Sequence, residues 1–479
     1  MEEKLARTLG LRSTVSLVIG GIIGSAIFMK PALMASQLGS PWLLVAVWGL
    51  AGGITFLGAL TNSEAAAMMP ETGGQYIFFQ RMFGDFTAFI YGWSAFAVFN
   101  TAGAASIAYV FSIYAEYFIH LPRLPKETEQ LIHLYMPGIG RIYPLENIGV
   151  KSLTILLIWL LTLVNYRSTR SGDNVQVLFS FLKVAAIVFL VAGIFLFGKG
   201  SVSNFSHPAT HTGWPLVLAV VAATSGAFWG YDGWNNITFM AGEIKNPQRN
   251  LPLGLLLGLF TVIMIYILMN LAYVYALPIE VIASSSFVGS DAASSAFGFG
   301  AGALIALMVM ISTFGCTNGN ILATARVTFA MAQEKRFFTP IGSVHPKFKT
   351  PGNALLLHGV WTSLLILSGS FDMLTDMLVF VSWLFYALGA IGVMVLRKKM
   401  PDAARPYKTW GYPWVPLAFI LISTLFLIIT LYNDITNYLN GTSPLINSLF
   451  GLVLASFGVP LYFYFKWKYK RDTRVNKKT

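Results

Sequence analysis

Two short segments combine residue types that point to shared chemistry. One is Gly20-Gly21-Ile22-Ile23-Gly24-Ser25-Ala26; the other runs from Gly226 through Phe228, Trp229, Gly230, Tyr231, Asp232, Gly233 and Trp234 to Asn235 and Asn236. Both lie inside long apolar runs. Glycine costs about 1 kcal/mol relative to alanine in a helix interior, so clustered glycines favour unwinding there. Unwound backbone presents amides at the start of the next half-helix, which attract an anion, and carbonyls at the end of the preceding one, which attract a cation. The Gly24, Ser25 and Ala26 amides and the Ser25 hydroxyl suit a carboxylate. The carbonyls of Ile22, Ile23 and residues near Trp229 suit an ammonium group. An α-amino acid carries both. For the region of Gly24 alone, close helix packing through small residues is the competing reading.

Isolated polar residues add candidates. Lys183 lies in an apolar run, where a lysine costs about 2.5–3.5 kcal/mol on insertion scales. It supplies either a fixed charge near the first segment or a side chain that snorkels to the face near Arg170. Asp232 has three readings: contact with an ammonium group, a cap on the following half-helix, which is favoured, or a proton carrier. Of the adjacent Asn235 and Asn236 only one can face the site well, and Asn235 is preferred. Trp229 is a gate or ordinary bulk, Asn318 a helix-packing residue, and Glu243, Lys245 and Arg249 a solvated charge network. The six histidines show no metal-ligand spacing, and no metal or other cofactor is expected.

The elements that position these residues follow from composition. The 479 residues are 56% hydrophobic and 11% charged, with a mean hydropathy of +0.66, against about 25% charged in soluble domains. That excludes a cytosolic enzyme and a nucleic-acid binder despite the net charge of +12. A helix needs about 20 apolar residues to cross a membrane. Twelve such stretches are expected, at 11–39, 41–69, 86–118, 149–166, 174–197, 213–241, 251–277, 299–333, 353–369, 374–396, 412–432 and 445–467, with no strands. With the N-terminus inside, 25 Lys and Arg fall on the inner side and six, including Lys30 and Lys151, on or near the outer side, so both termini are expected to be cytoplasmic.

The two glycine-rich segments interrupt the first and sixth stretches, so helices 1–5 and 6–10 form two halves that each open with a broken helix. Gly-interrupted helices at corresponding positions of two halves point to a transporter's substrate site. The expected fold class is therefore an all-α polytopic membrane protein of twelve helices. It comprises a 1–10 N-terminus, a first five-helix repeat over 11–197, an inverted repeat over 213–396, two extra helices over 412–467 and a basic tail over 468–479.

The motifs Val18-Ile-Gly-Gly-Ile-Ile-Gly-Ser-Ala-Ile-Phe28, Pro70-Glu-Thr-Gly-Gly-Gln-Tyr76, Tyr231-Asp-Gly-Trp-Asn235, Gly242-Glu-Ile-Lys-Asn-Pro-Gln-Arg-Asn-Leu-Pro252 and Phe314-Gly-Cys-Thr-Asn-Gly319, with His345-Pro346 and Thr350-Pro351, carry a resemblance. In this order the chain resembles the L-type amino-acid transporter family of the amino acid–polyamine–organocation superfamily, and looks closest to its bacterial serine/threonine exchangers. The resemblance implies sodium-independent exchange of neutral amino acids. It places Ile22, Gly24, Ser25 and Ala26 in the substrate segment, Trp229 as the aromatic closing over substrate, Asn235 near the site, and Lys183 where sodium-coupled relatives bind sodium. Most members have glycine in place of Ala26. Animal members carry a cysteine between helices 3 and 4 that joins a heavy chain; residues 119–148 contain none, so no disulfide-linked heavy chain is expected.

The resulting expectation is a plasma-membrane antiporter of small neutral L-amino acids such as serine, threonine and alanine. Its partners are these substrates and membrane lipid, not nucleic acid, and its substrate-binding residues are Ile22, Ile23, Gly24, Ser25, Ala26, Trp229, Asp232 and Asn235, with Lys183 in coupling. The alternatives are a proton-coupled amino-acid or polyamine importer, an intramembrane enzyme and a transporter-like sensor.

Overall fold

A computed structural model describes residues 7, 9–71, 73–167, 173–198 and 200–475, with only the backbone described for 173–183 and 470–475. Nine helices among these residues are long and apolar enough to cross a membrane: Pro41–Met68, Asp85–Ala115, Ile148–Arg167, Gly213–Glu243, Pro247–Ala276, Phe299–Gln333, Phe371–Lys399, Trp414–Leu439 and Asn447–Tyr469. The bent pair Leu11–Ile22 and Ala26–Leu38, at 46° to each other, forms a tenth span. Asp173–Phe197 and Gly352–Ser368 occupy the fifth and ninth expected stretches. All twelve stretches are thus helical, in the expected order. The protein is a multi-pass all-α membrane protein, because only helices and closed barrels satisfy every backbone group inside lipid.

One expectation fails in detail. A two-stranded antiparallel hairpin, β1 (Leu134–Met136) with β2 (Gly140–Ile142), lies between the third and fourth spans. This connection is outside the apolar runs, where a short hairpin needs no closed barrel. The Arg141 amide donates to the Pro444 carbonyl (2.8 Å), joining the hairpin to the loop before span 12.

Helix partnering repeats with an offset of five spans. The first span packs on the seventh as the sixth packs on the second, the third meets the tenth as the eighth meets the fifth, and the second and seventh pack on each other. The third span carries a π-helical segment, Ala95–Asn100, a device frequent at functional sites.

Charges that sequence reading placed at or near a face turn out to be buried. Lys30 and Lys151 are 0% and 2% exposed. Lys151 is held by the carbonyl of Tyr143 at 2.8 Å. Glu64, near the end of span 2, is buried and receives two bonds from Arg397 of span 10, Nε at 2.8 Å and Nη2 at 2.6 Å. It also accepts the Thr409 amide at 2.8 Å. A planar guanidinium matches a carboxylate bidentately, and Arg397 also stacks on the Tyr412 ring at 3.5 Å.

Glu243, Lys245 and Arg249 do not form the expected charge network: no recorded ion pair among the described residues joins them. The backbone fastens this loop instead. Leu9 donates to the Glu243 carbonyl (3.0 Å) and Lys245 donates to the Leu9 carbonyl (2.8 Å), so the chain start pins the end of span 6. Beyond span 8, Arg336 reaches the Tyr76 hydroxyl at 3.0 Å. Burial pushes the Tyr76 phenol up to about 12, so it remains a neutral hydroxyl.

Glu64→Gln should cost about 2–3 kcal/mol, since it strands Arg397 in a partly buried site. Glu71→Gln, in a pair exposed on both sides, should be neutral. Size-exclusion after heating in detergent would show a lower midpoint for the first variant only.

Candidate functional site

The first span is interrupted at Ile23-Gly24-Ser25. Ile23 has an extended backbone (ψ 103°), and a new helix starts at Ala26. The sixth span contains its own break, placed later than the sequence suggests. Gly226 through Tyr231 are regular helix, and the chain unwinds at Asp232 (ψ 153°) and Gly233 (φ +89°) before resuming as a 3-10 helix, Asn236–Glu243. The Trp229 carbonyl, read as free, accepts the Asp232 amide at 3.1 Å. Gly226 and Gly230 serve close packing rather than unwinding. A Cβ on Gly230 would stand 2.5 Å from the Trp48 ring, and one on Gly226 would stand 3.4 Å from Lys30 Cδ.

The two breaks touch. A Cβ on Gly233 would meet the Gly21 carbonyl oxygen at 2.8 Å, and the positive φ there already excludes most side chains. A residue that sequence reading missed, Tyr266 of the seventh span, ties them together. Its hydroxyl lies 3.2 Å from the Ile22 carbonyl and 3.1 Å from the Gly230 carbonyl, and it faces the backbone amide of Gly24. Nothing in the local sequence distinguishes Tyr266 from the other tyrosines of the chain. Only the crossing of spans 1, 6 and 7 gives it this place.

The Ser25 and Ala26 amides open the second half of span 1, where intrahelical acceptors run out. The Ser25 hydroxyl is buried and has no hydrogen-bond partner. A buried hydroxyl without a partner costs about 1–3 kcal/mol, so this group is poised for a ligand. Ile22, Ile23 and Ala26 are buried beside it. The Ala26 methyl faces Gly230, close enough that a Cβ there would lie 3.6 Å from it.

The remaining expected residues divide. Asp232 does not cap the following helix, which begins at Asn236 with Asn235 at the N-cap position and no side-chain cap bond. Its carboxylate accepts instead from the Tyr386 hydroxyl of span 10 at 3.0 Å. The Asn235 side-chain oxygen Oδ1 accepts from the Asn62 side-chain Nδ2 of span 2 at 2.6 Å, while Asn236 is exposed. Asn318 accepts from Asn165 of span 4 at 2.7 Å, a helix–helix bond as expected. Lys183 lies on the fifth span, and its side chain is outside the described residues.

Trp229 is buried edge-on against Phe371, with ring centroids 5.1 Å apart. Above both sits the Lys30 ammonium, 5.8 Å from the Trp229 ring and 4.8 Å from Phe371. It is bound by Asp372 at 2.6 Å and by the Thr375 hydroxyl at 2.7 Å. Lys30, Trp229, Phe371 and Asp372 thus cover the site on one side. In the other direction the first half-helix presents a stripe of small and polar residues, with Arg12, Ser13, Ser16 and Gly21 exposed. Lipid favours apolar side chains, so this face borders water.

Two helix breaks in contact at the core of a polytopic bundle, beside an unpartnered buried hydroxyl, suit a secondary transporter. The amino acid permease family model matches residues 9–455, and the chain belongs to that family. It is 30% identical to the serine/threonine exchanger SteT of Bacillus subtilis over 97% of this chain and 98% of that protein. It is 29% identical to the mouse b(0,+)-type amino acid transporter 1, over 89% of this chain and 82% of that protein. The human large neutral amino acids transporter small subunit 2 is 29% identical, over 97% and 82% respectively. These relatives are transporters, not enzymes, and the intramembrane-enzyme alternative falls with them.

Tyr266→Phe removes the hydroxyl shared by both breaks. One lost buried hydrogen bond, worth about 1–1.5 kcal/mol, should weaken substrate affinity by about tenfold in proteoliposome uptake while the protein inserts normally. Unchanged affinity would show that the breaks hold their geometry without Tyr266.

Proposed function

We propose that the protein exchanges small neutral L-amino acids such as serine, threonine and alanine across the plasma membrane, independently of sodium, by alternating access to the space between the two breaks. The observation that carries this reading is the unpartnered Ser25 hydroxyl beside the open amides of the second half of span 1, opposite the carbonyl end of the first half. The substrate carboxylate docks on the Ser25 hydroxyl and the amides of Ser25 and Ala26, next to the Gly24 amide that Tyr266 faces. The ammonium group lies toward the carbonyls of Ile22 and Ile23. Asp232 and Asn235, held by Tyr386 and Asn62, shape the site from span 6.

The five-span offset in helix partnering supports two halves, 11–197 and 213–396. An odd number of spans in each half makes the two enter the membrane from opposite sides, hence inverted. Alternating access then amounts to moving one pair of broken helices against the rest. In this reading the side covered by Lys30 and Trp229 is the outer one and both termini are cytoplasmic, supported by the excess of Lys and Arg on the N-terminal side. Trp229 acts as the lid on the substrate, and the Lys30–Asp372 pair locks the lid to span 10. Lys183 provides a fixed charge on span 5. Residues 119–148 lack cysteine, so a heavy chain has no disulfide anchor there.

The test is uptake of radiolabelled serine into proteoliposomes. Loading the vesicles with serine should raise the rate at least tenfold over empty vesicles, with no effect of replacing sodium. Equal uptake into empty vesicles would overturn exchange, and uptake driven by an imposed proton gradient would establish a proton-coupled importer instead. Ser25→Ala should raise KM about tenfold, the value of one hydrogen bond to a charged group, with little change in protein yield. Lys183→Ala should abolish transport without preventing insertion; normal transport by that variant would reduce Lys183 to a snorkelling side chain.

A further inference from the structure

A cavity of about 110 Å³ lies on the far side of the lid between spans 1, 6, 10 and 11. Asp376 and Asp434 both line it. Asp376 is one helical turn beyond Asp372 on span 10, and it accepts from Ser225 at 3.2 Å. Ser225 in turn is one turn before Trp229 on span 6. Asp434 of span 11 accepts the Ser448 amide at 2.9 Å. Among the described residues neither carboxylate has an ion-pair partner. The nearest cation, Lys30, is already held by Asp372 and Thr375.

Two further acceptors in the same wall are unused. The Thr430 hydroxyl, on a residue 9% exposed, and the Gln37 carbonyl oxygen are buried and lack partners. Two carboxylates without an ion-pair partner and two side-chain oxygens without a hydrogen-bond partner around one cavity suit a positively charged hydrogen-bond donor. No group of three or more His, Cys, Asp or Glu suited to a metal exists among the described residues. A primary ammonium is a compact charge with three donors, and it matches this set.

We propose that the cavity is a binding site for a small molecule with a primary ammonium group, held by Asp376, Asp434 and Thr430, one turn outside the lid formed by Trp229. The group belongs either to a free amine or to an amino acid on its way to the central site. For an amino acid, the amides of Asn433, Asn437 and Asn447 in the same wall supply donors to the carboxylate. The site itself does not depend on the exchange reading; only the amino-acid source does.

The experiment is calorimetric titration of the purified full-length protein in detergent with ethanolamine. Ethanolamine should bind saturably. Its affinity should fall at least tenfold in the Asp376→Asn/Asp434→Asn double variant and be unaffected by Ser25→Ala. Thr430→Val, the milder change, should weaken binding several-fold and covers the case in which the double variant fails to elute as a monodisperse species. Serine added to the Ser25→Ala protein separates the sources. Displacement of ethanolamine assigns the cavity to the amino acid's route, and no displacement assigns it to a separate amine. Ethanolamine binding unchanged by both cavity variants, absence of binding, or displacement by sodium or calcium chloride at equal concentration would overturn the proposal. None of these readouts involves transport, so a failed exchange assay and a failed cavity assay are distinguishable.

Discussion

The contact between two unwound helix segments is the constraint on which the rest of the molecule depends. Inside lipid every backbone polar group must be satisfied by protein or by water in a cavity. Breaking spans 1 and 6 frees such groups in the middle of the bundle. Crossing the breaks at Gly21 and Gly233 brings the freed groups within reach of one hydroxyl, that of Tyr266. What remains unsatisfied, the Ser25 hydroxyl and the amides at the start of the second half-helix, is what a ligand can use. Neighbouring contacts hold this arrangement: Trp48 fills the space left by Gly230, Asn62 grips Asn235, and Tyr386 grips Asp232.

Span 10 ties this centre to both ends of the bundle. At one end Lys30 joins it to span 1 through Asp372, and at the other Arg397 joins it to span 2 through Glu64. Burying a lysine in a membrane is costly, and a charged pair is retained where its geometry and further hydrogen bonds offset desolvation. Lys30 meets that condition with a carboxylate, a hydroxyl and two aromatic faces. Glu64 meets it with a bidentate guanidinium and a backbone amide. The two pairs join span 10 to spans 1 and 2 at opposite ends of its length.

Sequence reading and structure part where a residue type has two uses. Gly226 and Gly230 read as part of a break, yet they are the positions where Lys30 and Trp48 come close to helical backbone, and unwinding waits until Asp232. Asp232 reads as a helix cap because carboxylates often cap; here the following 3-10 helix starts too late in the chain for it, and a tyrosine four spans later, on span 10, takes the carboxylate. Lys30 reads as a lysine at or near the outer face. The acceptors that make its burial tolerable, Asp372 and Thr375, lie more than three hundred residues away. None of these partners has a local signature.

The sequence by itself determined the membrane class, the twelve helical stretches, the pairing of two glycine-rich breaks and the family, because these rest on local quantities: hydropathy over a span's length, helix propensity and contiguous motifs. Only the tertiary structure decided where span 6 unwinds, that Tyr266 joins the breaks, which buried charges are paired, and that Ser25 is left without a partner. Those depend on which side chains from distant spans arrive at the same depth, and hydrogen bonds and ion pairs act over a few ångströms regardless of separation along the chain.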